Sequence, residues 1–183
     1  MSQIRVRNVA CVIEVGACVT LSYATQGVAC PLLNEGADAS EASIKGRAFC
    51  FLPLPAETGL PVHVNGYFEL SSNRRDIWRG DDMAGEGRTR AEWNQALLED
   101  VVAPTYARML LRLAKTTGPE TLDWYYSIWP ADTVAEPWLS LSRRVYVETL
   151  KMPVLYCNLG GGRWVAPQAA IFRRTLSSSP PGS

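Results

Sequence analysis

The chain has 183 residues, of which 47% are apolar and 20% charged, a balance that excludes general disorder and suits one globular core. Lys and Arg number 18 and Asp and Glu number 18, so the basic excess of a nonspecific nucleic-acid binder is missing. The five cysteines, Cys11, Cys18, Cys30, Cys50 and Cys157, have no CxxC spacing, and with His63 as the single histidine they do not make a zinc site; they read as free thiols in a reducing compartment.

The amino terminus, Met1-Ser-Gln-Ile-Arg-Val-Arg7, lacks a leader pattern, and the apolar stretch 9–21 is broken by Glu14 and is too short to span a membrane. The expected location is cytoplasmic. Residues 9–24, rich in Val, Ile and Cys, predict two short strands with a turn near Gly16. Residues 31–46 are small and polar and read as an exposed, mobile loop. Ala48–Leu52 reads as a buried strand ended by Pro53 and Pro55, followed by a turn at Thr58–Pro61.

From Pro61 to Ser71 the pattern alternates. Val62, Val64, Gly66, Phe68 and Leu70 share one face of a strand, and His63, Asn65, Tyr67, Glu69 and Ser71 share the other. Residues 80–87 form an acidic, glycine-rich loop. Thr89-Arg-Ala-Glu92 then matches a capping box and opens a helix over about 91–116. Its apolar stripe includes Leu98, Val102, Tyr106, Leu110 and Leu113. Pro104 should kink or divide that helix, and Gly118-Pro119 should stop it. A second helix is expected over 136–150, using Trp138, Leu141, Val145, Val147 and Leu150. Pro153–Cys157 reads as a strand, Gly160–Gly162 as a hairpin turn into Trp164, and the tail 173–183 as disordered. The sheet precedes the main helix, so the expected class is α+β, with a mixed or antiparallel sheet and helices on one face.

Four features bear on chemistry. Asn73-Arg74-Arg75-Asp76 sits at a strand exit, where planar guanidinium forks suit a phosphate or carboxylate. The same arginines equally suit a salt-bridge cluster with Asp76, Asp81, Asp82 and Glu69. Gly160–Gly162 lacks phosphate-loop spacing, and His63 has no nucleophile partner evident in the sequence. Trp124, Tyr125, Tyr126, Trp129 and Trp138 suit either a core or a surface for apolar segments. No Walker loop and no ATP-binding motif of the Bergerat type is present, so no self-sufficient active site and no metal site is expected.

The stretches Gly46–Pro55, Thr58–Trp78, Gly80–Met83 and Trp93–Tyr106 closely resemble sacsin-like proteins, above all those of plants and algae. Trp124–Pro130 and Leu155–Pro167 look like the continuation, so the likeness covers about residues 46–172. Residues 1–45 form a partial strand region and loop before it. The resemblance implies a module following an ATPase domain similar to heat-shock protein 90. It further implies a fold similar to the ribosomal-protein-S5-like middle domain of that chaperone. There, an arginine between sheet and long helix reaches the terminal phosphate, which makes Arg74 or Arg75 the phosphate sensor here, with Asn73 and Asp76 in support. On this reading the chain itself is not an enzyme and holds no cofactor. ATP and Mg are expected only with an upstream ATPase domain, in cis or in trans. The other partners are protein clients or co-chaperones, with no nucleic acid and no membrane. The alternative is an interaction scaffold with no nucleotide role.

Overall fold

In the computed structural model the described residues are 10–15, 18–23, 26–31, 46–79 and 85–170. The Val/Ile/Cys-rich start forms β1 (Ala10–Val15), β2 (Cys18–Tyr23) and β3 (Gln26–Pro31), an antiparallel meander with Val12 opposite Leu21 and Val28 opposite Leu21 in turn. The loop expected over residues 31–46 and the tail 173–183 lie largely or wholly outside the described residues.

β4 (Arg47–Cys50) and β5 (Leu52–Glu57) form a tight hairpin, and β6 (His63–Asn65) runs between β3 and β4. The sheet is therefore mixed. Its order is β1-β2-β3-β6-β4-β5, and the β4–β6 pairing is parallel. Pro53 and Pro55 do not end a strand as their lack of an N–H suggests; they lie within β5. β5 is the edge strand, where a missing donor faces solvent and breaks no ladder bond. Phe51 makes the reversal, with φ 62°.

Gly46 anchors the crossing from β5 to β6. Its N–H donates to the Leu60 carbonyl at 2.9 Å, and its own carbonyl accepts from Thr58 N–H at 2.9 Å. A Cβ at this position would lie 2.2 Å from the backbone oxygens of both Leu60 and Val62, so only glycine fits. β6 is shorter than the alternating pattern, because the backbone leaves the ladder after Asn65. The alternation of burial nevertheless continues: Val62, Val64 and Phe68 are buried, while Tyr67 and Glu69 are exposed.

The main helical segment begins earlier than expected. α1 spans Glu86–Leu97, a π-helical turn spans Leu98–Val102, and α2 spans Ala103–Ala114. Gly85, at φ 59°, precedes the first turn, and Thr89 lies within the helix rather than capping it. Glu92, which the capping box would turn back to the cap, instead accepts from Arg88 Nε at 2.8 Å. The division expected at Pro104 is the π-helical turn. Proline brings no N–H for the preceding turn, and a wider turn gives its ring room without breaking the helix. Thr105 Oγ1 donates to the Val101 carbonyl at 2.7 Å, using one acceptor there.

α2 packs against β2 and β3 through one face that buries Tyr106, Met109, Leu110 and Leu113, while Arg108 and Arg112 point outward. Each such side chain, fully buried, contributes about 1.5–3 kcal/mol. α3 (Leu122–Ser127) and α4 (Trp138–Thr149) complete the layer, with α4 packed along α2. Two tyrosine hydroxyls tie the helices together. Tyr106 donates to the Ile128 carbonyl at 2.6 Å, and Tyr125 reaches the Val154 carbonyl at 3.0 Å. On α4, Trp138, Leu141 and Val145 are buried as expected, but Val147 and Leu150 are exposed. Thr149 fills the inward position in their place. β7 (Leu155–Cys157) and β8 (Arg163–Val165) pair across Gly160–Gly162, all three at positive φ. Among the described residues no helix is long and apolar enough to cross a membrane.

Candidate functional site

The chain leaving β6 makes a narrow arch between sheet and helix. Trp78 N–H donates to the Glu69 carbonyl at 2.7 Å, Leu70 and Ile77 form an antiparallel bridge, and Ser71 N–H donates to the Asp76 carbonyl at 2.9 Å. Residues 72–75 form its tip. Ser71 Oγ donates to Asn73 Oδ1 at 2.8 Å, and Arg75 N–H donates to the same oxygen at 3.0 Å. Arg74 N–H donates to the Ser71 carbonyl at 2.8 Å, with Arg74 in the left-handed region at φ 54°. This is an Asx-type turn, in which the short Asn side chain replaces a backbone acceptor.

The arch stands on α1. Asn94, 2% exposed, accepts from Glu69 N–H at 2.8 Å, and its amide donates to the Glu69 carbonyl at 2.8 Å and the Trp78 carbonyl at 3.0 Å. Trp78 Nε1 donates to the Gly87 carbonyl at 2.8 Å, and Trp93 Nε1 to the Tyr67 carbonyl at 2.9 Å. One asparagine thus closes both strands of the arch, and two indoles pin its ends to the helix.

The structure brings Asn73, Arg74, Arg75 and Asp76 onto one turn but gives them different surroundings. Asp76 does not pair with either neighbouring arginine. Its carboxylate accepts from Ile77 N–H at 2.8 Å and pairs with Arg79. Glu69 faces Arg90 at 3.8 Å. Asp81 and Asp82, invoked for a salt-bridge cluster, lie outside the described residues. Among the described residues neither Arg74 nor Arg75 has a carboxylate partner, and both side chains are exposed. Arg74 lines a cleft of about 430 Å³ with Cys50, Phe51, Glu69, Leu70, Ser71 and Ser72. Guanidinium groups donate hydrogen bonds in a planar fork, so the chemistry this arrangement suits is binding and orienting an oxyanion, not proton transfer.

Asn94 and Arg79 were not evident as parts of the site. An asparagine in an amphipathic helix ordinarily reads as solvent-facing. The available signal is its spacing from Leu98, which puts both on the inward face.

The remaining candidates have structural roles. His63 Nδ1 accepts from Arg47 N–H at 3.1 Å, and its ring meets Phe49 edge-on at 5.4 Å. Burial and then the nearby Arg47 charge hold its pKa below the usual histidine value, so the imidazole is neutral. Gly162 is at φ 79°, and a Cβ there would displace the Tyr156 hydroxyl, 2.0 Å away. Trp124, Tyr125 and Trp138 are core, whereas Tyr126 and Trp129 form its rim beside Tyr146. Cys50 and Cys157 are free thiols. Among the described residues no group of three or more His, Cys, Asp or Glu side chains converges on a metal position.

Human sacsin is 51% identical to this chain over 73 residues, which cover 40% of the chain and 2% of sacsin. The chain carries a sacsin-like region. It matches only about 2% of the length of that very large relative. No family model matches the chain, and no solved structure matches it.

Proposed function

We propose that this chain is a non-catalytic module of a chaperone of the sacsin type, acting downstream of an ATPase domain similar to heat-shock protein 90. On this reading it belongs with the sacsin-like proteins of plants and algae. Its sheet and helices correspond to the ribosomal-protein-S5-like middle domain, and it works in the cytoplasm. Its task is to couple the ATP state of a neighbouring domain, in cis or in trans, to the handling of protein clients or co-chaperones. ATP and Mg belong to that neighbour.

One observation carries the reading: in a sacsin-like chain, two arginines that have no carboxylate partner among the described residues stand on a braced turn between sheet and main helix. A planar cation held in place on a rigid loop suits the charge that develops on a transferring phosphoryl group. Asn73 shapes the turn, and Asp76 holds its exit through Ile77 N–H.

The test is ATP turnover of this chain alone, of a sacsin-type ATPase domain alone, and of the two mixed. The chain alone is expected to be inactive and to stimulate the ATPase domain. Arg74→Ala or Arg75→Ala should lower the stimulated rate by at least about tenfold, a small part of what a transferred arginine can contribute. Stimulation that survives both substitutions overturns the phosphate-sensing role. Binding without any change in turnover would favour the scaffold.

A further inference from the structure

Four large apolar side chains that the fold leaves exposed stand together beside the arch. Phe51 and Leu52, at the tip of the β4–β5 hairpin, are 76% and 74% exposed, and Tyr67 and Trp93 are each 41% exposed. The Phe51 and Tyr67 rings meet edge-to-face at 5.1 Å, and the Trp93 indole is hydrogen-bonded to the Tyr67 backbone. Phe51, Tyr67 and Trp93 form a ledge with Leu52 next to it in the hairpin, and Phe51 is also a wall of the 430 Å³ cleft that Arg74 lines.

The backbone marks the same place. Among the described residues two non-glycine residues have positive φ, Phe51 at 62° and Arg74 at 54°, and both line this cleft. The left-handed region costs a non-glycine residue roughly 1–2 kcal/mol. A bulky aromatic is among the worst residues to hold there. Strain held in two exposed side chains that face one opening is the kind that accompanies a binding role.

The chemistry of the opening narrows the occupant. Glu69 also lines the cleft but faces Arg90, and Asp76 pairs with Arg79, so among the described residues Arg74 has no carboxylate partner there. An inorganic or nucleotide phosphate would satisfy Arg74 and leave the ledge unused. A second copy adding a strand is disfavoured, because Pro53 and Pro55 remove alternate donors from the edge strand. We propose that the ledge and cleft bind an extended acidic polypeptide segment, seating one large apolar side chain against Phe51 and Tyr67 and an adjacent carboxylate on Arg74. An aromatic anchor beside a forked cation is the usual energetic centre of such contacts. Arg74 is common to this site and the proposed phosphate-sensing turn, but Phe51 belongs to this site alone and Arg75 does not line the cleft, so peptide binding and ATPase stimulation fail separately in Phe51→Asn and Arg75→Ala.

The test is fluorescence polarisation with a short fluorescein-labelled peptide of Asp and Glu around one Phe-Leu pair, on the full chain. Binding is expected to weaken at least about tenfold in Arg74→Ala and in Phe51→Asn. Asparagine tolerates positive φ, so Phe51→Asn should raise the melting temperature while it weakens binding. A merely structural Phe51 would not move the two readouts in opposite directions. Lys151→Ala, which removes an exposed cation after α4, should bind as the parent does. The proposal fails if the parent does not bind the peptide, or if both site variants bind it normally. It also fails if a peptide with Ser-Ser in place of Phe-Leu binds equally well and inorganic phosphate displaces it, which would make the cleft an anion site only.

Discussion

Asn94 braces both strands of the arch at once, and Asn94→Ala measures how much the candidate site depends on it. The substitution removes the acceptor for Glu69 N–H and the donor for the Glu69 and Trp78 carbonyls, three bonds of 2.8–3.0 Å around a side chain that is 2% exposed. Glu69 still accepts from Trp78 N–H at 2.7 Å, so its carbonyl keeps one partner. Glu69 N–H and the Trp78 carbonyl lose the partner that the buried Asn94 amide supplies. Each unmet buried group costs about 1–3 kcal/mol, and the third bond adds about 1 kcal/mol. The sum is about 3–7 kcal/mol. For a chain of this size that lowers the melting temperature by roughly 10–20 °C. Thermal unfolding followed by circular dichroism measures the loss, and amide hydrogen exchange locates it at Glu69 and the arch. Asn94→Asp should lose at least as much as Asn94→Ala, since it sets a buried carboxylate oxygen against the Glu69 and Trp78 carbonyls. A loss below about 1 kcal/mol in Asn94→Ala, with unchanged exchange at Glu69, would refute the bracing role.

Three other outcomes follow from the geometry. Gly46→Ala forces a methyl to within 2.2 Å of two backbone oxygens and should cost on the order of 3 kcal/mol or more, read from urea unfolding. Arg74→Gly relieves the positive φ and should gain up to about 1 kcal/mol, while Arg75→Ala stays within about 0.5 kcal/mol of the parent; a large loss in either would mean that these arginines hold the fold together. Tyr125 is the pH-sensitive group of the core. Burial raises its phenol pKa well above the usual value near 10, so the folded state holds this proton where the unfolded chain releases it. Its stabilising contribution is complete below about pH 10 and declines as the pH rises further, which alkaline unfolding curves of the parent and Tyr125→Phe will separate.

Much of this architecture was legible in the residues. Alternation from Val62 to Leu70 reports a one-sided environment, and burial follows it even where the ladder has ended at Asn65. The apolar spacing of Leu98, Val102, Tyr106, Leu110 and Leu113 identifies the inward face of the main helix, since a 3.6-residue period leaves no other face for them. The Asn73-Arg-Arg-Asp76 turn and the glycine hairpin at 160–162 are likewise local, because a few residues set their dihedral angles. The reach of each element was not local. Pro53 and Pro55 are strand residues only because β5 is an edge, and Thr89 is not a cap because Gly85 starts the helix a turn earlier. The long-range pairing of Glu69 with Arg90 and the cleft that Arg74 lines depended on the arch closing. Asn94, twenty-five residues from Glu69, became a brace through that closure alone. The sequence by itself determined the periodicities and the tight turns, which depend on neighbours along the chain. Tertiary structure decided edges, pairings and exposure, because those depend on groups that are distant in sequence and meet only when the core is packed.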